Sequence, residues 1–429
     1  MSWYHIFSPG MGKWVTLAVL AVTFGLILYR RFNIAYASLA AAGFLVLTGV
    51  TNPAEAFLKS VNWDVLAIYW GYGMLAIVFR ESKVPAWIAN RVLAKVKKEK
   101  QALLFLCVLA MVLSSFMANP VVVIMLAPLA IEIATKLKTS LFLYLIALAV
   151  SSNIVTTVTM IADPPAMILA TTTGMDFLDF YWFQGKISLG ILSIIGILVA
   201  ILVLLLQFRK LNKQVSITRE EIKVSLSPLI LFISSIFVLA LIPWNHLGVW
   251  NHPGLVGLVL GISSLVVAKG YARGMLKEFD WNTIAFLIGI FIVIATVDNI
   301  GLLKDFAVWL GHTVMNSPTI YLAIFVWISV MLSSFIDNVP YTILMLPVCA
   351  GVAQTLGISP YPFYFGMLVG TGIGGNLTPV GATANVLACG ILEKRGYKVQ
   401  FGKYLGIAMP FSISAVLVVH ILLQLLWLK

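Results

Sequence analysis

Charge is scarce in this chain. Asp, Glu, Lys and Arg make up 10% of its 429 residues, against about 25% in a soluble domain. With 61% hydrophobic residues, that deficit excludes a soluble globular protein and points to one set in a lipid bilayer. Cysteine is nearly absent: Cys107, Cys349 and Cys389 lie in apolar surroundings without metal-ligand spacing. They form no disulfide framework and say nothing of redox compartment. The five histidines, His5, His246, His252, His312 and His420, scatter near span ends, so no metal site is expected. No His-Glu-x-x-His and no nucleophile–base pattern occurs, nor a Gly-Lys-Ser/Thr phosphate loop. An enzyme, a catalytic residue and a cofactor other than a coupling ion are therefore not expected. The net charge of +12 would suit nucleic acid, but the basic residues form no single patch. The first thirteen residues lack a cleavage-site pattern, so the first apolar run is expected to be a retained span.

What is present is a repeat. Ser114-Ser115-Phe116-Met117-Ala118-Asn119-Pro120 returns as Ser333-Ser334-Phe335-Ile336-Asp337-Asn338-Val339-Pro340 after 219 residues. In the same register Pro128 falls on Pro347 and Thr159 on Thr378, and Trp63 and Trp281, 218 apart, open matching spans. A register held this long marks an internal duplication. Both copies place Ser, Asn and Pro inside apolar sequence, where those residues break a helix and bring polar groups to the break.

Apolar runs at about 14–30, 34–51 and 64–80 are long enough to cross the bilayer. Residues 84–98 carry Val84, Trp87, Ile88, Val92 and Val96 at helical spacing among Arg91, Lys95, Lys97 and Lys98, an amphipathic helix for the membrane interface. Two apolar arms at 102–117 and 121–135 meet at Ala118-Asn119-Pro120. A tip of that kind cannot face lipid, so a re-entrant hairpin is expected. Residues 141–173 read as a broken span that resumes at Asp163-Pro164-Pro165, and 186–207 close the first half. After the polar stretch 208–226 the plan repeats. Spans at 227–244, 253–268 and 281–297 precede an amphipathic piece at 302–315, a hairpin at 320–356, a broken span at 361–392 and a last span at 404–428.

The expected fold is an all-α polytopic membrane protein of two inverted-topology repeats, each with five spans, one re-entrant hairpin and one broken helix. Residues 1–207 form the first repeat, with a cytoplasm-facing hairpin at about 102–135. Residues 208–226 form a cytoplasmic linker. Residues 227–429 form the second repeat, with an outside-facing hairpin at about 320–356. Five crossings plus a returning hairpin invert the second half. With both termini outside, every basic residue except Lys13, Lys59, Lys186, Lys304 and Lys429 falls on the inner side, as the positive-inside rule requires.

Inverted repeats with helices broken at the midplane are the pattern of secondary transporters. A helix stopped in mid-membrane offers free N–H groups at one end and free C=O groups at the other. The site is therefore expected where the two tips face the segments Thr156 to Asp163 and Gly374 to Asn385. Asn119, Asn338, Thr156, Thr159, Asn376, Thr378, Thr383 and Asn385 are candidate solute ligands. A carboxylate at mid-bilayer costs about 2.5–3.5 kcal/mol, so it needs a polar cavity. Asp337 and Asp163 are therefore candidate sites for a coupling H+ or Na+. Helix capping is the plainer reading of both acids, and helix-end hydrogen bonding that of Asn119 and Asn338. The run Gly370, Gly372, Gly374, Gly375 and Gly381 could serve close packing alone.

At these residues the chain resembles the arsenite permease (ArsB)/P-permease branch of the ion transporter superfamily, which also holds sodium-coupled dicarboxylate carriers. Thr159-Met160-Ile161-Ala162-Asp163-Pro164-Pro165-Ala166 resembles the family's Thr-Leu-Ile-Gly-Asp-Pro-Pro-Asn, with Ala162 and Ala166 departing from it. Gly375-Asn376-Leu377-Thr378-Pro379-Val380-Gly381-Ala382-Thr383-Ala384-Asn385 is similar to the second-half motif. The resemblance implies a scaffold from the first two spans of each half, a moving domain from the hairpins and broken spans, and commonly a homodimer in the plasma membrane. Its leading functional form is proton-coupled efflux of arsenite, antimonite or a similar small hydroxylated oxyanion, with a soluble ATPase subunit as a further partner if the chain is of the arsenite type. Sodium/proton exchange and sodium-coupled anion uptake stand as alternatives, and an ion channel ranks below them. The expected partners are thus lipid and a small inorganic or organic solute, and no nucleic acid.

Overall fold

The computed structural model describes residues 9–29, 32–215, 221–242, 253–313 and 317–428. Arg30, Arg31, Arg219, Lys429, His5, His246, His252 and the side chain of His312 lie outside the described residues. The first half runs α1 (Pro9–Tyr29), α2 (Ile34–Leu47), the single turn α3 (Pro53–Glu55), α4 (Trp63–Glu81) and α5 (Val84–Leu93). It continues through α6 (Glu99–Ser114), α7 (Asn119–Lys136), α8 (Leu141–Asn153) and α9 (Pro164–Thr173). A small antiparallel hairpin, β1 (Trp182–Phe183) with β2 (Lys186–Ile187), leads into α10 (Leu189–Gln207). The second half runs α11 (Ser227–Leu241), α12 (Gly254–Val267), α13 (Ala272–Glu278), α14 (Trp281–Asn299) and α15 (Leu302–Thr313). It ends with α16 (Pro318–Ser333), α17 (Asn338–Leu356), α18 (Tyr361–Gly374), α19 (Thr383–Glu393) and α20 (Phe401–Trp427).

The duplication read from the sequence is carried element by element. α6 and α16 begin and end 219 residues apart, and α7 and α17 begin 219 apart. Asn62 and Asp280, which cap α4 and α14, are likewise matched, each accepting a backbone N–H three residues on. Proline falls in the first turn of α7, α9 and α17, where its missing N–H costs no helical bond. Asn119 and Asn338 therefore open returning helices rather than sit within unwound loops. Thr383 and Asn385 lie on the first turn of α19, beyond the unwound stretch expected from sequence.

The halves are interlocked. α2 lies beside α14 and runs parallel to it: Asn33 Nδ2 donates to Asn282 Oδ1 (3.2 Å) and Ser38 Oγ reaches Phe286 O (3.3 Å). α4 and α12 form the matching pair, with Gly254 N donating to Asp64 Oδ1 (3.0 Å). A Cβ on Gly257 would strike the backbone of Ala67 and Ile68, so the two helices touch main chain to main chain. Lipid removes the hydrophobic drive between helices, and close contact of small residues takes its place. α10 and α20 are equivalent elements and run antiparallel, the sense an inverted duplication requires. Gln207 Nε2 at the end of α10 meets Gly406 O near the start of α20 (3.1 Å). At the opposite end Trp427 Nε1 reaches Ile187 O (2.9 Å).

Among the described residues six helices are long and apolar enough to cross a membrane: α1, α7, α10, α14, α17 and α20. α2, α8, α11 and α16 are apolar but shorter. At 1.5 Å per residue they fall short of a hydrocarbon core of about 30 Å. α8 and α18 stop within the protein and their paths resume as α9 and α19, so each is a broken span. On the side assigned to the cytoplasm, residues 211–215 are stitched to the base of the α6–α7 hairpin. Glu99 N donates to Lys213 O (2.9 Å), and Lys213 Nζ caps Leu137 O and Lys138 O (2.9 and 2.8 Å).

Candidate functional site: a central cavity between two hairpin tips

Both hairpin turns and both helix breaks line one cavity of about 340 Å³. Ala118, Asn119 and Pro120 enter from the first hairpin, and Asp337, Asn338 and Val339 from the second. Asn153, Asp163 and Pro164 come from the first broken span, and Gly381 to Ala384 from the second. The start of α14 closes the remaining side with Asp280, Asn282, Thr283 and Phe286, alongside Tyr69 of α4. A second space of about 220 Å³ shares Tyr69, Ala118, Pro120, Asp163, Pro164 and Asp280 with the first and leads to Arg80 and Glu278. Both of those residues fall on the side assigned to the cytoplasm. A larger space of 630 Å³ between α4, α14, α9 and α17 contains neither tip asparagine. The convergent polar groups mark the central cavity as the candidate site.

Three carboxylates, Asp163, Asp280 and Asp337, face the central cavity, and no Lys or Arg does among the described residues. Their local roles differ. Asp337 Oδ1 caps α17 by accepting from Val339 N (3.0 Å). Asp280 takes Thr283 N on one oxygen (3.2 Å) and Thr283 Oγ1 on the other (2.5 Å), which commits it to the start of α14. Asp163 stands at the N-cap position of α9 but its side chain makes no cap bond. Capping therefore accounts for the geometry of Asp337 and Asp280, whereas the Asp163 carboxylate turns across the cavity and accepts from the Asn338 side chain of the second hairpin.

The tip asparagines do not cap their helices. Asn119 Nδ2 donates to Asn153 Oδ1 (3.1 Å), and Ser333 Oγ approaches Asn338 Oδ1 at 2.5 Å. Of the sequence candidates, Asn119, Asp163, Asp337, Asn338 and Thr383 line the cavity. Thr156, Thr159, Asn376, Thr378 and Asn385 lie buried behind it. Thr159 Oγ1 donates to Ser115 O and its repeat-mate Thr378 Oγ1 to Ser334 O, so each unwound segment is pinned to the neighbouring hairpin turn. Asn376 Nδ2 donates to Val150 O (3.0 Å), and Tyr404 Oη donates to Asn376 O (2.9 Å). Asn385 Nδ2 donates to Gly375 O (3.0 Å). Thr156 packs on Gly372, where a Cβ would strike its hydroxyl. That close contact is the use of one glycine in the glycine-rich run.

Asn153, Tyr69, Asp280, Asn282 and Thr283 join the cavity without having been marked by sequence reasoning. The cap pattern Asp280 to Thr283 was visible, but nothing local said that it faced the tips. At the far end of the passage Arg80 is held by Glu278 (Nη1–Oε1 2.5 Å) and by Glu81 (3.0 Å). The hydrogen bond from Arg80 holds the Glu278 carboxyl below its usual range. Cys107, Cys349 and Cys389 are buried as free thiols and line neither the central cavity nor its passage.

Helices broken at a shared cavity, on a duplicated and cross-packed frame, define a multi-pass membrane transporter. The chain belongs to the CitMHS citrate transporter family within the ion transporter superfamily; the family model matches residues 24–370. It is similar to the 46 kDa membrane protein of Mycobacterium leprae, 23% identical over 430 residues that cover 97% of this chain and 98% of that one. An uncharacterized transporter of Mycobacterium tuberculosis is 26% identical over 412 residues, covering 91% and 93%. The human P protein is 23% identical over 490 residues, which cover 93% of this chain and 58% of that protein. Among solved structures, the YdaH transporter of Alcanivorax borkumensis matches with a TM-score of 0.56 at 18% identity, over 97% of each chain. MtrF of Neisseria gonorrhoeae, described among antimetabolite efflux pumps, matches at 0.55 and 10% identity, over 97% of this chain and 94% of that one. At these identities the two structures speak for the fold.

Proposed function

We propose that the protein is an elevator-type secondary active carrier that exports a small hydroxylated solute such as arsenite or antimonite in exchange for protons. One observation carries the reading. Two hairpin turns and two helix breaks converge on a cavity lined by asparagine amides and acids, with no Lys or Arg among the described lining residues. An uncharged trihydroxide fits such a lining, whereas a bare polyanion would meet carboxylates without a base. Asp337 and Asp163 serve as the coupling sites, with H+ or Na+ as the ion. Asn119, Asn338 and Thr383 contact the solute, and Thr156, Thr159, Asn376, Thr378 and Asn385 hold the segments that carry the contacts.

Elevator movement draws support from the packing. The helices of the pairs α2/α14 and α4/α12 pack closely on each other, and two cavities lie along the seam where α4 and α14 meet the hairpins and broken helices. The placement of basic residues supports a plasma-membrane protein with both termini outside, and the family resemblance supports a homodimer. A second reading has its own observation, since the family is described by citrate transport. A tricarboxylate would enter this acid-lined cavity only with cations that offset its charge.

The test is flux in sealed vesicles of purified protein under an imposed pH gradient. Saturable, gradient-driven accumulation of arsenite supports the first reading. Accumulation of citrate only with a divalent cation, and none of arsenite, replaces it with the second. Non-saturating conductance defeats both.

A further inference from the structure

The two tip asparagines occupy matching places but are held differently. Ser333 stands 2.5 Å from Asn338 Oδ1. Ser114, its repeat-mate, makes no side-chain hydrogen bond among the described residues. Asn119 is instead tied to Asn153, whose repeat-mate is Gly372, so the second half has no side chain to do the same. Asn153 Nδ2 donates to Gly372 O (3.1 Å) and to Asn376 Oδ1 (3.2 Å), which uses both of its amide hydrogens. Asn376 Nδ2 donates onward to Val150 O (3.0 Å).

Gly372 O and Val150 O are main-chain carbonyls and can only accept. The sense of each amide is thereby fixed from the backbone outward: Asn376, then Asn153, then Asn119. A flipped Asn153 would set its oxygen against Gly372 O and Asn376 Oδ1. With one Nδ2 hydrogen given to Asn153, Asn119 Oδ1 is the amide atom left without any partner among the described residues. Asn119 lines the central cavity, is 3% exposed, and its Oδ1 has no partner among the described residues.

We infer that Asn153 is a positioning residue that makes Asn119 offer the cavity an acceptor, so that this wall reads a hydroxyl donor on the solute. The inference rests on the proposed function and narrows it. A deprotonated oxygen placed at Asn119 would face another oxygen, whereas each hydroxyl of a trihydroxide can donate there.

The experiment is a double-mutant cycle in arsenite transport kinetics, with KM and maximal rate read separately. Loss of one hydrogen bond to the solute predicts that Asn153→Leu and Asn119→Ala each raise KM about five- to tenfold, with the maximal rate largely kept. The double variant should be no worse than Asn119→Ala alone. An unchanged KM in Asn153→Leu overturns the inference, as does a further rise on adding Asn153→Leu to Asn119→Ala. Asn153→Ala replaces the leucine variant if that one does not fold. The relay itself is read without solute, from melting temperatures of the same four proteins. Coupled losses support the Asn119–Asn153 bond and additive losses overturn it. If the wild type carries no arsenite, the substrate reading fails while this second readout still decides the relay.

Discussion

Replacing Asp337 separates its two roles. As a cap, its Oδ1 holds Val339 N at 3.0 Å, and asparagine caps about as well as aspartate. Asp337→Asn should therefore change stability by no more than a few tenths of a kcal/mol, whereas Asp337→Ala should cost about 1 kcal/mol. As a coupling group, a carboxamide takes up no proton at any working pH. With one proton exchanged per solute, a gradient of one pH unit supplies about 1.4 kcal/mol and sustains about a tenfold concentration ratio. In vesicles, Asp337→Asn should bring that ratio to one while solute–solute counterflow persists. Asp163→Asn removes no cap bond and keeps an amide oxygen for Asn338, so it should do the same with a stability change of no more than about 1 kcal/mol. A tenfold ratio retained in Asp337→Asn would refute the coupling role, and failure of that variant to fold would assign Asp337 to structure.

Three further outcomes follow from the geometry. Thr159→Val and Thr378→Val each remove one hydroxyl donor from a hairpin-turn carbonyl, so each should lower stability by about 1 kcal/mol and by similar amounts. Melting temperatures that differ widely between the two would break the equivalence of the repeats. The Arg80–Glu278 contact depends on a carboxyl held below its ordinary value of 4.5. A depressed value means the contact's stabilisation is present at neutral pH and is lost only as pH falls through the lowered value. Melting temperature should thus show no loss from this pair between about pH 5 and 7, and Glu278→Gln should lower it there; a pair already lost near pH 6 would contradict the assignment. Changing Cys107, Cys349 and Cys389 together to Ala should leave arsenite flux within about twofold, since buried thiols away from the cavity act as packing. Abolished flux would point to thiol ligation instead.

Much of the frame was legible because duplication wrote it twice. The 219-residue register found both hairpins, and the Ser-Asn-Pro cluster found both turns. Helix starts fell where an acid and a proline said they would, after Asp163 and after Asp337. Symmetry also misled. It drew attention to residues present in both halves, such as Thr159 and Thr378, and these turn out to staple the unwound segments from behind. Asn153 stands opposite a glycine in the second half, so the same reasoning passed over it, although it joins the two halves. Tyr69, Asp280 and Asn282 were hidden for another reason. They reach the cavity through the packing of α4 and α14 against the hairpins, and no local pattern encodes that distance.

The crossed pairing of α2 with α14 and of α12 with α4 has a consequence for biogenesis. Neither half holds its own partner: made alone, each would expose to lipid a helix face that the other half covers, the second half's lined by Gly257, Gly261 and Gly289. During synthesis α2 and α4 therefore stay without their partners until α12 and α14 have been made. Two separately encoded halves would then recover the native assembly only when translated together.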